Sequence, residues 1–423
     1  MIAPHQQEFK DTARAYEGCF HGTGTGKTRT ALYSVKEHQR ILVIAPKTSV
    51  QKGQWIDEAV GLHMKNLPTV ISKETFRRDH KILPYYDAVI WDEAHHVFGV
   101  MPNTRQRNKV KIPKASQMFE SLVWYLKAHQ PKRLVLATAT PNKTPMAIWA
   151  AAYLLGHRWD FYAFRDNFYI RLPMQYEVYA PNRDARAMEE LAAKTREIGQ
   201  VLRLADIRDV PEQTFMTETF DLTEEQKKVI KTLPGRFADA GSLRVKTHQV
   251  ENGVLYEDVF NKKTHKVSRK TEFYTCPKVE YIVERSDEFE KMVIFANYTA
   301  QVEMIAEALL KSGKENVYTL TGATKDRKTL IDTCEAKNSA YLIVQGSVSS
   351  EWEFKSCGVM IFASLTNKSL DYIQAQGRIQ RYDAIKKNLY IHLITGKGVD
   401  ARWHKTIMSG RDFNEALYEE KGS

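Results

Sequence analysis

Gly22-Thr23-Gly24-Thr25-Gly26-Lys27-Thr28 leads directly into a helix-compatible run, Arg29 to Val35. A glycine-rich turn lets backbone N–H groups approach phosphate oxygens, and the helix behind it adds the positive end of its dipole. Lys27 has the reach for β- and γ-phosphates, and the Thr28 hydroxyl is a ligand for Mg²⁺. The general phosphate-loop pattern has glycine at position 21, where this chain has His21, so Gly22 and Gly24 are left to supply the turn. A merely flexible glycine loop would not need the intact Gly-Lys-Thr triplet.

Working outward, short apolar runs rich in β-branched residues recur at Ile41–Ala45, Ala88–Trp91 and Leu134–Ala137. They return at Met292–Ala296, Tyr341–Val344 and Val359–Ala363. Such runs read as strands buried on both faces, the mark of a parallel sheet. Helical periodicity lies between them, as at Ala300 to Leu310, where Val302, Ile305, Ala306, Leu309 and Leu310 share a face. Alternating strand and helix predicts a doubly wound α/β fold. The runs fall into two groups, which predicts a first lobe over 1–157, a linker or insertion over 158–277 and a second lobe over 278–423. Within the linker, Leu191–Leu204 and Thr223–Leu233 read as helices, the second capped by Thr223. Gly253–Phe273 reads as a β-ribbon turning at Asn261–Thr264.

The second run ends in Ile90-Trp91-Asp92-Glu93-Ala94-His95-His96. A buried strand that delivers two acids to a sheet edge, downstream of a phosphate loop, suits metal-assisted phosphoryl chemistry. Asp92 would hold Mg²⁺, and Glu93 would orient and deprotonate the attacking water. The two histidines do not read as a metal pair, because neighbouring side chains at a strand end are expected to point apart and no third ligand is spaced for zinc.

The 423 residues are 43% hydrophobic and 27% charged, ordinary for a globular protein, with no apolar stretch approaching 18 residues. The N-terminus lacks a basic segment followed by an apolar run, so no secretory signal is expected. Four scattered cysteines, with no CxxC pair, indicate neither a zinc site nor a disulfide framework. A formal net charge of +11 suits a polyanion, since phosphate contacts release counterions.

Asp92-Glu93-Ala94-His95 resembles the DEAH form of the second motif of superfamily 2 helicases and translocases, and further motifs follow in that family's order. Pro4-His5-Gln6 resembles the adenine-reading segment, with Gln6 as the base contact. Ala45-Pro46-Lys47-Thr48 resembles the motif that grips the strand backbone through Lys47 and Thr48. Thr138-Ala139-Thr140-Pro141 resembles the coupling motif, with His95 relaying to Thr138 and Thr140. Asn297, in Phe295-Ala296-Asn297-Tyr298, and Thr321 and Gly322, in Leu320-Thr321-Gly322, correspond to nucleic-acid contacts. Gln374-Ala375-Gln376-Gly377-Arg378-Ile379-Gln380-Arg381 matches the QxxGRxxR pattern at all four fixed positions. That match implies Gln374 at the nucleotide, and Arg378 and Arg381 as arginine fingers from the second lobe. Their i, i+3 spacing puts both guanidinium groups near one face. The family's next-to-last motif departs: Gln345-Gly346-Ser347-Val348 stands where a small-residue run with Gly-Leu-Asn is usual, leaving Gly346 and Ser347 as contacts. Ser72–Phe76, Arg203–Ile207 and Leu222–Lys228 resemble the Swi/Snf-like branch, including compact phage-encoded members.

The resemblance implies two RecA-like lobes using ATP and Mg²⁺ to move on DNA, forked, junction or duplex, with RNA as the less favoured partner. It implies a monomer in the cytoplasm, the host's for a phage-encoded chain, and no membrane partner. Arg105, Arg107, Lys109, Lys111 and Lys114 read as a loop, either phosphate-contacting or simply solvated. The ribbon cations Lys262, Lys263, His265, Lys266, Arg269 and Lys270 read as a wedge or as a surface ribbon.

Overall fold

The computed structural model describes residues 2–12, 14–107, 110–142, 144–173, 177–207, 213–237, 239–261, 266–348, 352–366, 369–379 and 387–415. The chain forms two compact units that part near residue 209.

The first unit is built on a six-stranded parallel sheet of β1 (Tyr16–His21), β2 (Ile41–Ala45), β3 (Thr69–Ser72), β4 (Ala88–Asp92), β7 (Arg133–Ala137) and β10 (Gly199–Leu202). Two antiparallel hairpins interrupt it, β5 (Val100–Arg107) with β6 (Val110–Ala115), and β8 (Tyr169–Leu172) with β9 (Val178–Pro181). The spatial order is β10-β1-β7-β4-β2-β3, so β7 separates the strand of the phosphate loop from the strand of the acid pair. The central strands β1, β2, β4 and β7 are largely buried on both faces, which is why Ile41–Ala45, Ala88–Trp91 and Leu134–Ala137 are continuous apolar runs, whereas β1 buries Glu17 and His21 among its apolar residues. One face packs Leu42, Val89, Leu134 and Leu136 against Phe76, Phe119 and Ile148. The other packs Val43, Ile90 and Val135 against Phe9, Leu32 and Trp55.

The second unit repeats the plan with β11 (Gln213–Phe220), β14 (Lys291–Ala296), β15 (Val317–Leu320), β16 (Ala340–Gln345), β17 (Val359–Phe362) and β18 (Asn388–Thr395). Their order is β11-β18-β17-β14-β16-β15, again all parallel. The ribbon of β12 (Val254–Asn261) and β13 (Lys266–Phe273) stands apart from this sheet. The architecture is therefore two tandem RecA-like lobes with parallel sheets.

Several segments differ from the sequence expectation. Leu191–Leu204 is not one helix: the helix Ala185–Ile198 ends where Gly199 takes an extended backbone and β10 begins. Gly199 faces Gly18 across β1 and β10, and a Cβ there would overlap the Gly18 carbonyl oxygen. β10 thus completes the first sheet and β11 the second, although residues 158–277 read from sequence as linker. Arg105 and Arg107 lie on β5 and Lys111 and Lys114 on β6, paired strands where a loop was expected. The helix Glu224–Arg236 starts as expected behind Thr223, whose capping box uses Gln226.

Candidate functional site

In the first unit the candidate residues gather at the C-terminal ends of β1, β4 and β7. β1 ends at His21, and the loop turns through Gly24 and Gly26, at φ of 79° and 80°. Those left-handed values suit glycine. Gly26 is the N-cap of the helix Lys27–Ser34, whose first residues are Lys27 and Thr28. The Gly22 N–H donates to the Leu202 carbonyl at 2.7 Å. The Gly22 carbonyl accepts the Thr25 hydroxyl at 2.8 Å and the Lys27 ammonium at 2.9 Å, with Thr23 following Gly22 in the turn. Gln6 sits in the helix Pro4–Asp11, 4% exposed, and its Oε1 accepts the Ala3 N–H at 3.0 Å.

Asp92 is the last residue of β4 and Glu93 the first beyond it. Glu93 has φ 50° and ψ 52°, an uncommon conformation for a residue with a side chain, and its N–H donates to Asp92 Oδ1 at 3.0 Å. Strain of this kind concentrates where a side chain must be aimed. Glu93 Oε2 lies 3.2 Å from His95 Nδ1, and the same nitrogen is 3.0 Å from Thr138 Oγ1. Thr138 Oγ1 also accepts the Thr140 N–H at 3.2 Å. His95 thus touches Thr138, and Thr138 touches Thr140. His95 and His96 do not point apart: they share a short 3-10 turn, and their rings lie 4.1 Å apart.

Burial, with the Glu93 charge beside it, pushes the Asp92 carboxyl up to about 7. Burial alone would raise Glu93 too, but the His95 hydrogen bond and the charges of His95 and Lys27 outweigh it and hold Glu93 low. Both carboxylates remain partly accessible, with Glu93's side chain 30% exposed, so a water can reach it. Positive charge beside the acid pair comes from Lys27, His95 and Lys73. The pair's donor chemistry, beside a phosphate cradle and the Thr28 hydroxyl, fits Mg²⁺ carried in with a nucleoside triphosphate. Sequence reasoning missed Trp55, which hydrogen-bonds Asp92 from the helix Gln54–Gly61. It also missed Lys73, a half-buried ammonium whose pKa is lowered by burial while Glu74, Glu93 and Asp92 pull it back.

Among the expected nucleic-acid contacts of this unit, Lys47 is exposed and Thr48 half-buried in the helix Lys47–Gln51 behind β2. Arg105 is paired with Glu120, and Lys111 and Lys114 are exposed on their hairpin. Lys109 lies outside the described residues.

In the second unit, Asn297 follows β14, Thr321 and Gly322 follow β15, and Gly346 and Ser347 follow β16, all at C-terminal strand ends of one sheet. Gln345, at the end of β16, links Gly322 to Thr299. Its Nε2 donates to Thr299 Oγ1 at 2.9 Å, and its Oε1 accepts the Gly322 N–H at 3.3 Å. Ser364, beyond β17, accepts the Asn297 N–H at 2.8 Å. Gln374 lies in the helix Ser369–Gln376 and Arg378 two residues past it, with Arg378 Nη1 3.5 Å from the Trp352 carbonyl. Arg381 lies outside the described residues, as do Lys262, Lys263 and His265 of the ribbon turn. The ribbon cations Arg269 and Lys270 are paired with Asp258 and Glu272, as on an ordinary surface ribbon.

No helix among the described residues is long and apolar enough to cross a membrane. Residues 276–383, about a quarter of the chain, match the helicase conserved C-terminal domain. No curated protein matches the chain. Among solved structures it is similar to the Sulfolobus solfataricus SWI2/SNF2 ATPase core in complex with dsDNA. The identity is 17%, over 98% of this chain and 92% of that one, with a TM-score of 0.41. The helicase-domain match, joined to the phosphate loop and acid pair of the other lobe, supports a nucleic-acid-dependent helicase or translocase.

Proposed function

We propose that this chain is an ATP-driven motor on DNA, a helicase or translocase that couples hydrolysis to movement. The observation that carries the reading is the contact chain Glu93–His95–Thr138 beside a phosphate loop. It links the group placed to handle the attacking water with the segment placed to sense it.

In this reading the loop N–H groups from Gly22 to Gly26 and the Lys27 ammonium hold the β- and γ-phosphates of MgATP, and Gln6 reads the base. Thr28 and Asp92 take the cation. Glu93 accepts the proton of the water that attacks the γ-phosphorus as the bond to ADP breaks. Arg378 and Arg381, with Gln374, come from the second lobe to offset charge in the transition state. Lys47 and Thr48 grip the nucleic-acid backbone from the first lobe. Asn297, Thr321, Gly322, Gly346 and Ser347 do so from the second, with Gln345 tied to the Gly322 N–H. Ligands of open α/β sheets bind beyond the carboxyl ends of the strands, where the Gly22–Gly26 loop, Lys47, Thr48, Asp92, Glu93, Asn297, Thr321, Gly322, Gly346 and Ser347 stand.

DNA is preferred over RNA because of the Swi/Snf-like resemblance, and the net charge of +11 suits either polyanion. A monomer acting in the cytoplasm is part of the same reading. The alternatives are a double-stranded DNA translocase that remodels protein–DNA complexes without unwinding, and an RNA helicase. Strand displacement from forked and four-way-junction DNA, third-strand displacement from plain duplex, and unwinding of matched RNA separate them. ATP-dependent strand displacement on forks or junctions is expected. Third-strand displacement alone would favour the translocase, RNA unwinding alone would overturn the DNA assignment, and no displacement anywhere would sink the motor.

A further inference from the structure

His21 stands where the general phosphate-loop pattern has glycine, and its side chain packs against β10 and the helix Pro4–Asp11. It is fully buried at the end of β1. Its Nε2 donates to Gln200 Oε1 on the neighbouring strand β10 at 2.8 Å. Its ring meets two rings of the helix Pro4–Asp11 edge to face: His5 at 5.8 Å and 66°, and Phe9 at 5.8 Å and 78°. His5 and Phe9 are four residues apart, hence on one helical face. His5 also reaches the loop, its Nε2 lying 3.2 Å from the Thr25 carbonyl oxygen. Gln6 follows His5, and a Cβ on Gly26 would come within 3.1 Å of Gln6 Nε2. The helix that carries Gln6 is thus seated on the loop through His5, Phe9 and the imidazole beneath them.

Glycine at position 21 would remove both ring contacts and the Gln200 hydrogen bond and leave a ring-sized void under the helix. None of that is needed to cradle phosphates, because Gly22, Gly24 and Gly26 supply the turn. Burial holds the His21 pKa far down, at about 3, so the ring is neutral and brings no charge to a triphosphate. Its Nδ1 has no hydrogen-bond partner. A buried polar atom left without a partner is unfavourable, and it is tolerated here where the ring's shape serves.

We propose that His21 is a specificity-determining positioning residue, which fixes the base-reading helix to the phosphate loop so that adenine is selected over guanine. The proposal rests on the assignment of Gln6 as the base contact. Its signature is a change in base selectivity without a change in affinity for phosphates.

The test measures kcat/KM for ATP and for GTP, and inhibition by inorganic tripolyphosphate, a probe with phosphates and no base. The full chain is compared with His21→Gly, His21→Phe and Phe9→Leu. The ATP-to-GTP ratio is expected to fall by about tenfold in His21→Gly, the scale of one well-placed contact, with tripolyphosphate inhibition unmoved. His21→Phe keeps the ring and should keep most of the ratio. Phe9→Leu removes the contact from the helix side, leaves the loop sequence intact, and carries the test should His21→Gly not fold. An unchanged ratio in both His21→Gly and Phe9→Leu would overturn the proposal. So would a ratio that falls only together with tripolyphosphate inhibition, the mark of a damaged loop. A wild-type chain without preference for ATP would sink the Gln6 assignment itself, and the proposal with it.

Discussion

Glu93 combines three properties that single residues seldom share: a left-handed backbone, a carboxylate held ionised, and a histidine joining it to the next strand. Replacing it by Gln keeps the size and removes the base. Turnover in Glu93→Gln should fall by about 10²–10⁴-fold, the range for loss of a general base, while ATP binding measured by equilibrium titration persists. Unimpaired turnover would take the base role from Glu93. Lys27→Ala should abolish hydrolysis and weaken triphosphate binding together, because the ammonium would contact the phosphates in the ground state and more strongly as charge shifts in the transition state; normal turnover would refute the phosphate-loop assignment. The loop, the acid pair and the QxxGRxxR segment are legible in sequence because each is a local pattern whose chemistry fixes residue type and spacing. Trp55 on Asp92, and Gln345 between Thr299 and Gly322, are not legible, since each contact joins residues that only the sheet brings together.

Among the elements, β1 is broken by Glu17, Gly18 and His21, whereas β2, β4, β7, β14, β16 and β17 announce themselves as apolar runs because helices cover both faces. β3, β10 and β11 do not. They are edge strands with part of their surface in solvent, so β10 reads only Gly-Gln-Val-Leu and β11 alternates with exposed positions. Charge hid the β5–β6 hairpin in the same way. The placement of β10 makes a prediction of its own. A methyl group at position 199 has no room against the Gly18 carbonyl, so Gly199→Ala should cost about 1–3 kcal/mol, the range for overpacking. Chemical denaturation checks it; an unchanged midpoint would mean that β10 does not pack on β1 as described.

The whole molecule carries a surplus of positive charge and, in its second unit, a buried polar centre. There Asp400 meets Lys278 and lies 2.8 Å from His248 Nε2, while Glu251 accepts the N–H groups of Val399 and Asp400. Burial alone would raise the Asp400 pKa, but the Lys278 and His248 charges dominate and lower it. A lowered folded-state pKa means stability present above the unfolded value, about 4, and lost as pH falls toward the folded one. Asp400→Asn leaves the Lys278 ammonium buried without its counter-charge, and should cost about 3–5 kcal/mol at neutral pH. The gap between wild type and variant should narrow below about pH 4; a gap that is constant with pH would show that Asp400 is not ionised. The net charge of +11 implies that nucleic-acid affinity falls steeply with salt.

The most direct test of the motor is the steady-state rate of ATP hydrolysis by the full chain, alone and with duplex DNA at low salt. A rate that rises severalfold or more with DNA, and that Glu93→Gln abolishes in both conditions, is the predicted result. A rate indifferent to DNA, whether zero or already maximal without it, would contradict the account.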